Sequence, residues 1–163
     1  MMYSYSKFNS IKSNYESNDC VVRSFATAFD ISYDEAHDFC KNEMKRKDRK
    51  GVMTFYLLKV LNSGNKIFGK IVKKIEYDPV EVKKTKKTYF GEYTESYTYN
   101  LYTKRGKTIS KLTVGTFIKN NPKGTFLISV RGHLFVVKDS KIFGNLDDYK
   151  QKRKIINSVW IVK

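Results

Sequence analysis

Cysteine, histidine, proline and tryptophan are all scarce in this chain, with two, two, two and one among 163 residues. Two cysteines, Cys20 and Cys40, are too few for a disulfide framework. Neither belongs to a C-x-x-C pair or stands at metal-ligand spacing from a histidine, which argues against a structural zinc site. No apolar run approaches the roughly 18 residues that read as a membrane span, and the opening "MMYSYSKFNS" lacks the apolar centre of a secretory signal. The expectation is a soluble, cytoplasmic protein with no membrane partner, no metal and no cofactor. Negative charge is short as well: 16 Asp plus Glu against 32 Lys plus Arg leave a formal charge of +16. Such an excess favours polyanions or acidic proteins through long-range attraction. A vocabulary heavy in Lys, Asn, Tyr and Ile is also what an AT-rich genome encodes, so part of the excess is compositional.

What is present suffices for one domain with a core, since 40% of residues are hydrophobic and 15% aromatic. Val21, Val22, Phe25, Ala26 and Phe29 recur at helical spacing, with Asn18 or Asp19 as cap. Ser32 and Glu35 form a capping box ahead of a second helix whose inner stripe is Ala36, Phe39, Cys40 and Met44. Cys40 is therefore expected in the core, and the basic run Lys45 to Lys50 at that helix's C-terminus, where cations suit the dipole. A third helix starts at Thr54 and stops by Gly64. Beyond residue 65 the vocabulary turns to strands, with a short helix around "LTVGTFIKNN" capped by Thr113. "GTFLISV", "HLFVVKD", "KIFG" and "INSVWIVK" read as an antiparallel meander. Helices first and strands second is the order of an α+β fold.

A thiol nucleophile needs an activating environment, a base within reach and donors for the oxyanion. Cys20 opens the first long helix, where unpaired backbone N–H groups and the dipole favour a thiolate, while Asp19 beside it works modestly the other way. Of the two histidines, His37 sits mid-helix where a surface residue would. His133 opens a strand directly after the turn "RG", on a rigid element from which its ring can enter a cleft. Asn145, twelve residues on, and Asp147 behind it are returned towards His133 by the reversal at "DS". Asn14, six residues before the cysteine, offers an amide to an oxyanion.

An amide, a cysteine opening the first long helix, a late histidine on a strand and an Asn or Asp on the next strand is the order of papain-like cysteine peptidases. More narrowly, "NDCVVRSFATAFDISYDEA" and "GTFLISVRGHLFVVKDSKIFG" resemble small phage and bacterial proteins of papain-like fold. They are similar too to the leader-peptidase domains of bacteriocin exporters. The resemblance covers about the first 45 and last 55 residues. It implies a papain-like domain over 1–163 with a Tyr- and Lys-rich insertion at about 80–107, and a cysteine peptidase-like hydrolase acting on a protein or peptide, host or virion in a phage setting. It implies Cys20 as nucleophile, His133 as base and acid, Asn14 at the oxyanion, and Asn145 or Asp147 orienting His133. The chain departs from the pattern in having Asn14 where Gln is usual, and Gly144 after Phe143 where Asp is often found. A second reading is an inactive scaffold that binds nucleic acid or acidic protein. In it the Tyr-interleaved lysines of residues 83 to 107 meet bases and phosphates, as suits single strands. The same lysines also suit an edge hairpin protected from aggregation.

Overall fold

The computed structural model describes residues 3–5, 8–77, 79–104, 107–144 and 152–163, with side chains placed for 8–77, 83–96, 112–144 and 152–163. In chain order the elements are β1 (Tyr3–Tyr5), α1 (Ile11–Tyr15), α2 (Cys20–Phe29), α3 (Tyr33–Glu43), α4 (Thr54–Leu61), β2 (Val72–Ile75), β3 (Pro79–Thr88), β4 (Gly91–Lys104), β5 (Lys107–Lys111), α5 (Val114–Asn120), β6 (Thr125–Val130), β7 (His133–Lys138), β8 (Lys141–Gly144) and β9 (Ser158–Val162). The fold is α+β. Six strands form one sheet in the order β1-β8-β7-β6-β9-β2, and β3-β4-β5 form a second.

The main sheet is buried on both faces. On one side Leu127, Leu134, Val136 and Trp160 meet Val22, Phe25 and Phe29 of α2 and the inner stripe of α3. On the other, Phe126, Ile128, Phe135, Val137 and Val159 meet Val114, Phe117 and Ile118 of α5 together with Leu112 and Ile156. Double burial explains why "FLISV" and "LFVV" are continuous apolar runs instead of alternating ones. Trp160 is fully buried, and its Nε1 donates to Asn62 Oδ1 at 2.8 Å, tying β9 to the C-terminus of α4.

The four helices expected from periodicity are present as α2, α3, α4 and α5, capping box included: Ser32 Oγ accepts from the Glu35 N–H and the Glu35 carboxylate accepts from the Ser32 N–H. Several expectations are corrected. Residues 45–50 lie beyond the end of α3, and Arg46 turns inward to become 3% exposed. The polar lead-in contains β1, parallel to β8, and α1. The C-terminal strands are not a simple meander, because β9 pairs antiparallel with β6 instead of β8. The preceding segment steers it there: the Ile156 N–H donates to Leu112 O and the Asn157 N–H to Ser129 O, which carries the chain past β8 and β7 to the far side of β6.

The Tyr- and Lys-rich segment forms the second sheet, a long β3–β4 ribbon with β5 alongside. No helix among the described residues is long and apolar enough to cross a membrane.

Two substitutions weigh core against cap. Trp160→Ala is expected to lower unfolding free energy by about 3–5 kcal/mol, through lost burial and a cavity at the α4–β9 contact. Ser32→Ala, which removes one cap acceptor, is expected to lower it by about 1 kcal/mol. Urea unfolding followed by tryptophan fluorescence for the second and by circular dichroism for both checks the order.

Candidate active site

Helix α2 lies along β7, and two polar contacts set its direction. Ser24 Oγ, midway along α2, donates to the carbonyl of Leu134, near the start of β7, at 3.1 Å. At the helix C-terminus, Asp30 accepts from Lys138 Nζ at 2.8 Å and from Lys70 Nζ at 2.7 Å. Both sets of numbers rise together, so helix and strand run in the same direction and their first residues, Cys20 and His133, share one end. Cys20 lies one turn before Ser24 on the same helix face, about 6 Å along the axis.

That end is a cleft of about 180 Å³ whose lining includes Cys20, Val52, Leu57, Ser129, Gly132, His133 and Asn157. An adjoining pocket that shares Cys20, Val52, Gly132 and His133 extends the cleft past Asn18 and Gly51. Cys20 is half-buried, whereas Cys40 is fully buried on α3. Burial pushes the Cys40 thiol up to about 12, which makes it inert as a nucleophile. A roomier groove beside Phe39 and Phe68 is lined by neither cysteine nor histidine.

His133 is placed by the turn before it. Gly132 has φ 72°, a conformation that side chains resist, and the reversal makes His133 the first residue of β7, paired with Val130. Leu134 faces α2, while the His133 ring lies on the opposite face, stacked on Phe135 with centroids 6.0 Å apart. The cleft therefore wraps over the strand end. Asn157, at the start of β9, adds an amide to its wall that sequence reading missed.

The other expected residues separate. Asn14 is exposed on α1 and is not among the residues lining the cleft. Asn18 is, in a left-handed conformation of φ 53° that asparagine tolerates, with Nδ2 donating to Arg49 O at 3.3 Å. Asn145 and Asp147, the two candidates for orienting His133, lie outside the described residues.

Asp19 occupies the N-cap position of α2 but makes no side-chain capping bond. It is buried, and its Oδ2 accepts from Arg23 Nε at 2.8 Å and from the Tyr33 hydroxyl at 2.7 Å. Burial and the bond to Asp19 push the Tyr33 phenol up, so it remains a donor. The Arg23 guanidinium is set over the Phe8 and Tyr33 rings, so the buried Asp19 carboxylate has its counter-charge beside it.

His37 is not a surface residue: it is 5% exposed, with Nε2 3.0 Å from Glu16 Oε1 and Nδ1 3.3 Å from Asp38 Oδ1. Glu16 Oε2 accepts from Arg46 Nη2 at 2.6 Å and from the Arg49 N–H at 2.9 Å. Ser17 Oγ and Asn18 Nδ2 both donate to Arg49 O. This network straps residues 16–18 to 46–49, and so joins the two chain segments that enter the cleft wall at Cys20 and at Val52. Glu16, His37 and Asp48 bring donor atoms within 4.8 Å of one another. Glu16 is already engaged by Arg46, however, and Asp48 by Lys41, so the group is an ion-pair network and not a cation site.

Burial alone raises the Glu16 carboxyl, but the bonds from Arg46, Arg49 and His37 outweigh it and hold it at about 2. A depressed folded value gives stability that is complete above the ordinary carboxylate range and lost as pH falls towards 2. Glu16→Gln also leaves the buried Arg46 without its counter-charge, a loss of about 3 kcal/mol at pH 7. In urea titrations from neutral to acid pH, the gap between wild type and Glu16→Gln is expected to be widest at pH 7 and to close as pH falls below about 4.

In comparisons with protein-family models, curated proteins and solved structures, the chain matches none.

Proposed function

We propose that this chain is a thiol hydrolase of papain-like fold that cleaves an amide or isopeptide bond in a protein or peptide, with Cys20 as nucleophile and His133 as general base and acid. One observation carries the reading. The sole half-buried cysteine among the described residues and a strand-end histidine line the same cleft, each as the first residue of a buried element. The α2 N-terminus supports it further, since Asp19 is turned away to Arg23 and Tyr33 and leaves the first N–H groups of the helix without a side-chain cap.

The steps follow from the groups present. His133 takes the Cys20 thiol proton as Cys20 Sγ attacks the carbonyl carbon, and the carbonyl oxygen takes up the displaced electron pair as an oxyanion. In this reading the Cys20 N–H and the side-chain amide of Asn18 are the donors to that oxygen, Asn18 replacing the amide first sought at Asn14, since a side-chain amide has a second N–H beyond the one given to Arg49. His133 gives its proton to the leaving amine as the intermediate collapses to a thioester. A water molecule then loses a proton to His133 and attacks the thioester carbon, releasing the carboxylic acid and restoring the Cys20 sulfur. The His133 ring, stacked on Phe135, lines the same cleft as Cys20, and apo sites often hold such groups loosely before substrate aligns them. Val52, Leu57 and Val130 supply an apolar wall for a substrate side chain.

Alkylation by iodoacetamide tests the pair, with Cys40→Ala as background. At mildly acidic pH, where an ordinary thiol is almost wholly protonated, Cys20 is expected to react, and His133→Ala to slow it at least about tenfold with circular dichroism unchanged. Equal rates in the two proteins would remove His133 from the site, and no reaction in either would leave Cys20 a packing residue.

A further inference from the structure

The outer part of the β3–β4 ribbon buries neither face among the described residues. Every described residue from Lys83 to Thr94 is exposed, on both faces of the ribbon, and at its tip Tyr89 and Phe90 are 98% and 97% exposed. Two large rings left wholly in water at the end of an arm are unlike the scattered apolar residues of an ordinary surface. They lie edge to face with centroids 5.5 Å apart, which leaves ring surface open for stacking. A two-stranded ribbon solvated on both sides is also marginal in stability without something laid against it.

Chemistry along the ribbon narrows what that is. The pairing register puts Lys84, Lys86 and Tyr93 on one face and Lys83, Thr85 and Lys87 on the other. Lys86 Nζ lies 5.9 Å from the Tyr93 ring centroid, so a third exposed ring is already set beside a cation. The acidic residues Glu95 and Glu92 pair with Lys86 and Lys87 at 2.7 and 3.1 Å. Exposed pairs of this kind are worth little and exchange readily for phosphate.

We infer that the ribbon is a binding arm for single-stranded nucleic acid, with Tyr89, Phe90 and Tyr93 stacking on bases and Lys83, Lys84, Lys86 and Lys87 meeting phosphates. Unpaired bases offer their ring faces to aromatic side chains, and a flexible strand can follow lysines on both faces of a ribbon. An anionic membrane fits less well. With the tip at the hydrocarbon boundary, the lysines extend about 14 Å further back along the ribbon, roughly twice the depth of one headgroup layer. The assignment is independent of the hydrolase reading, because the ribbon belongs to the second sheet and none of its residues lines the Cys20–His133 cleft.

The test uses the full chain and a fluorescein-labelled oligothymidylate of about 15 nucleotides, followed by anisotropy between about 50 and 300 mM salt. Saturable binding is expected. Replacing Tyr89 and Phe90 together by Ser should weaken it about tenfold or more with the salt slope unchanged. Replacing Lys83, Lys84, Lys86 and Lys87 together by Gln should flatten the slope of log K against log salt by about 3. All six positions are exposed, so circular dichroism and the Cys20 alkylation rate should match wild type. Two results overturn the inference. One is an affinity indifferent to the aromatic pair, which reduces the arm to diffuse charge. The other is binding to phosphatidylserine vesicles or polyglutamate with the oligonucleotide left unbound.

Discussion

The packing of α2 along β7 is the constraint on which the rest depends. The helix covers Leu134 and Val136 with Phe25 and its neighbours, and apolar contact of that kind fixes distance without fixing direction. Direction comes from two polar contacts, Ser24 at mid-helix to the Leu134 carbonyl near the start of β7 and Asp30 at the helix C-terminus to Lys138 at the strand's end. The first is buried and would leave a hydroxyl unsatisfied if the helix slid or reversed. The second is exposed and contributes little energy, but it agrees with the first. A cysteine and a histidine separated by more than a hundred residues meet at one end because each opens its element and the elements run the same way.

A second layer of organisation is electrostatic and sits just outside the cleft. Asp19 is turned from the helix terminus by Arg23 and Tyr33, and Glu16 gathers Arg46, His37 and the Arg49 backbone. Burying these charges is tolerable only as a set, since each carboxylate finds a cation and further donors. Arg46 retains two nitrogens, Nε and Nη1, with no partner among the described residues, which makes its one bond to Glu16 the more consequential. The two cysteines show how strongly surroundings decide chemistry. Cys40 on the inner stripe of α3 is sealed and held protonated by burial, while Cys20 at a helix end borders open space.

The ribbon is organised differently from the body of the molecule. The main sheet has apolar residues on both faces because helices and loops cover both, whereas residues 83–94 of the ribbon, exposed on both faces, carry mostly lysine, threonine and glutamate. A chain that builds a doubly buried sheet has little apolar surface left for a second one. Among the described ribbon residues the large exposed rings are Tyr89 and Phe90 at the tip and Tyr93 behind them.

By itself the sequence determined what short-range physics can determine. The 3.6-residue stripe of α2, the Ser32–Glu35 capping box, the Thr113 cap of α5 and the apolar strand runs all depend on neighbours within a few residues, and each was legible. So was the pairing of interest in Cys20 and His133, through their positions at element starts. Tertiary structure alone decided which side of β6 receives β9, that β1 joins the sheet edge, that His37 and Arg46 turn inward, and that Asn18 and not Asn14 borders the cleft. Those outcomes depend on partners 20 to 30 residues away or more, as with Glu16 and Arg46 or Leu112 and Ile156. No local propensity records such distances, because a charged side chain looks solvated in sequence until the fold brings its counter-charge to it.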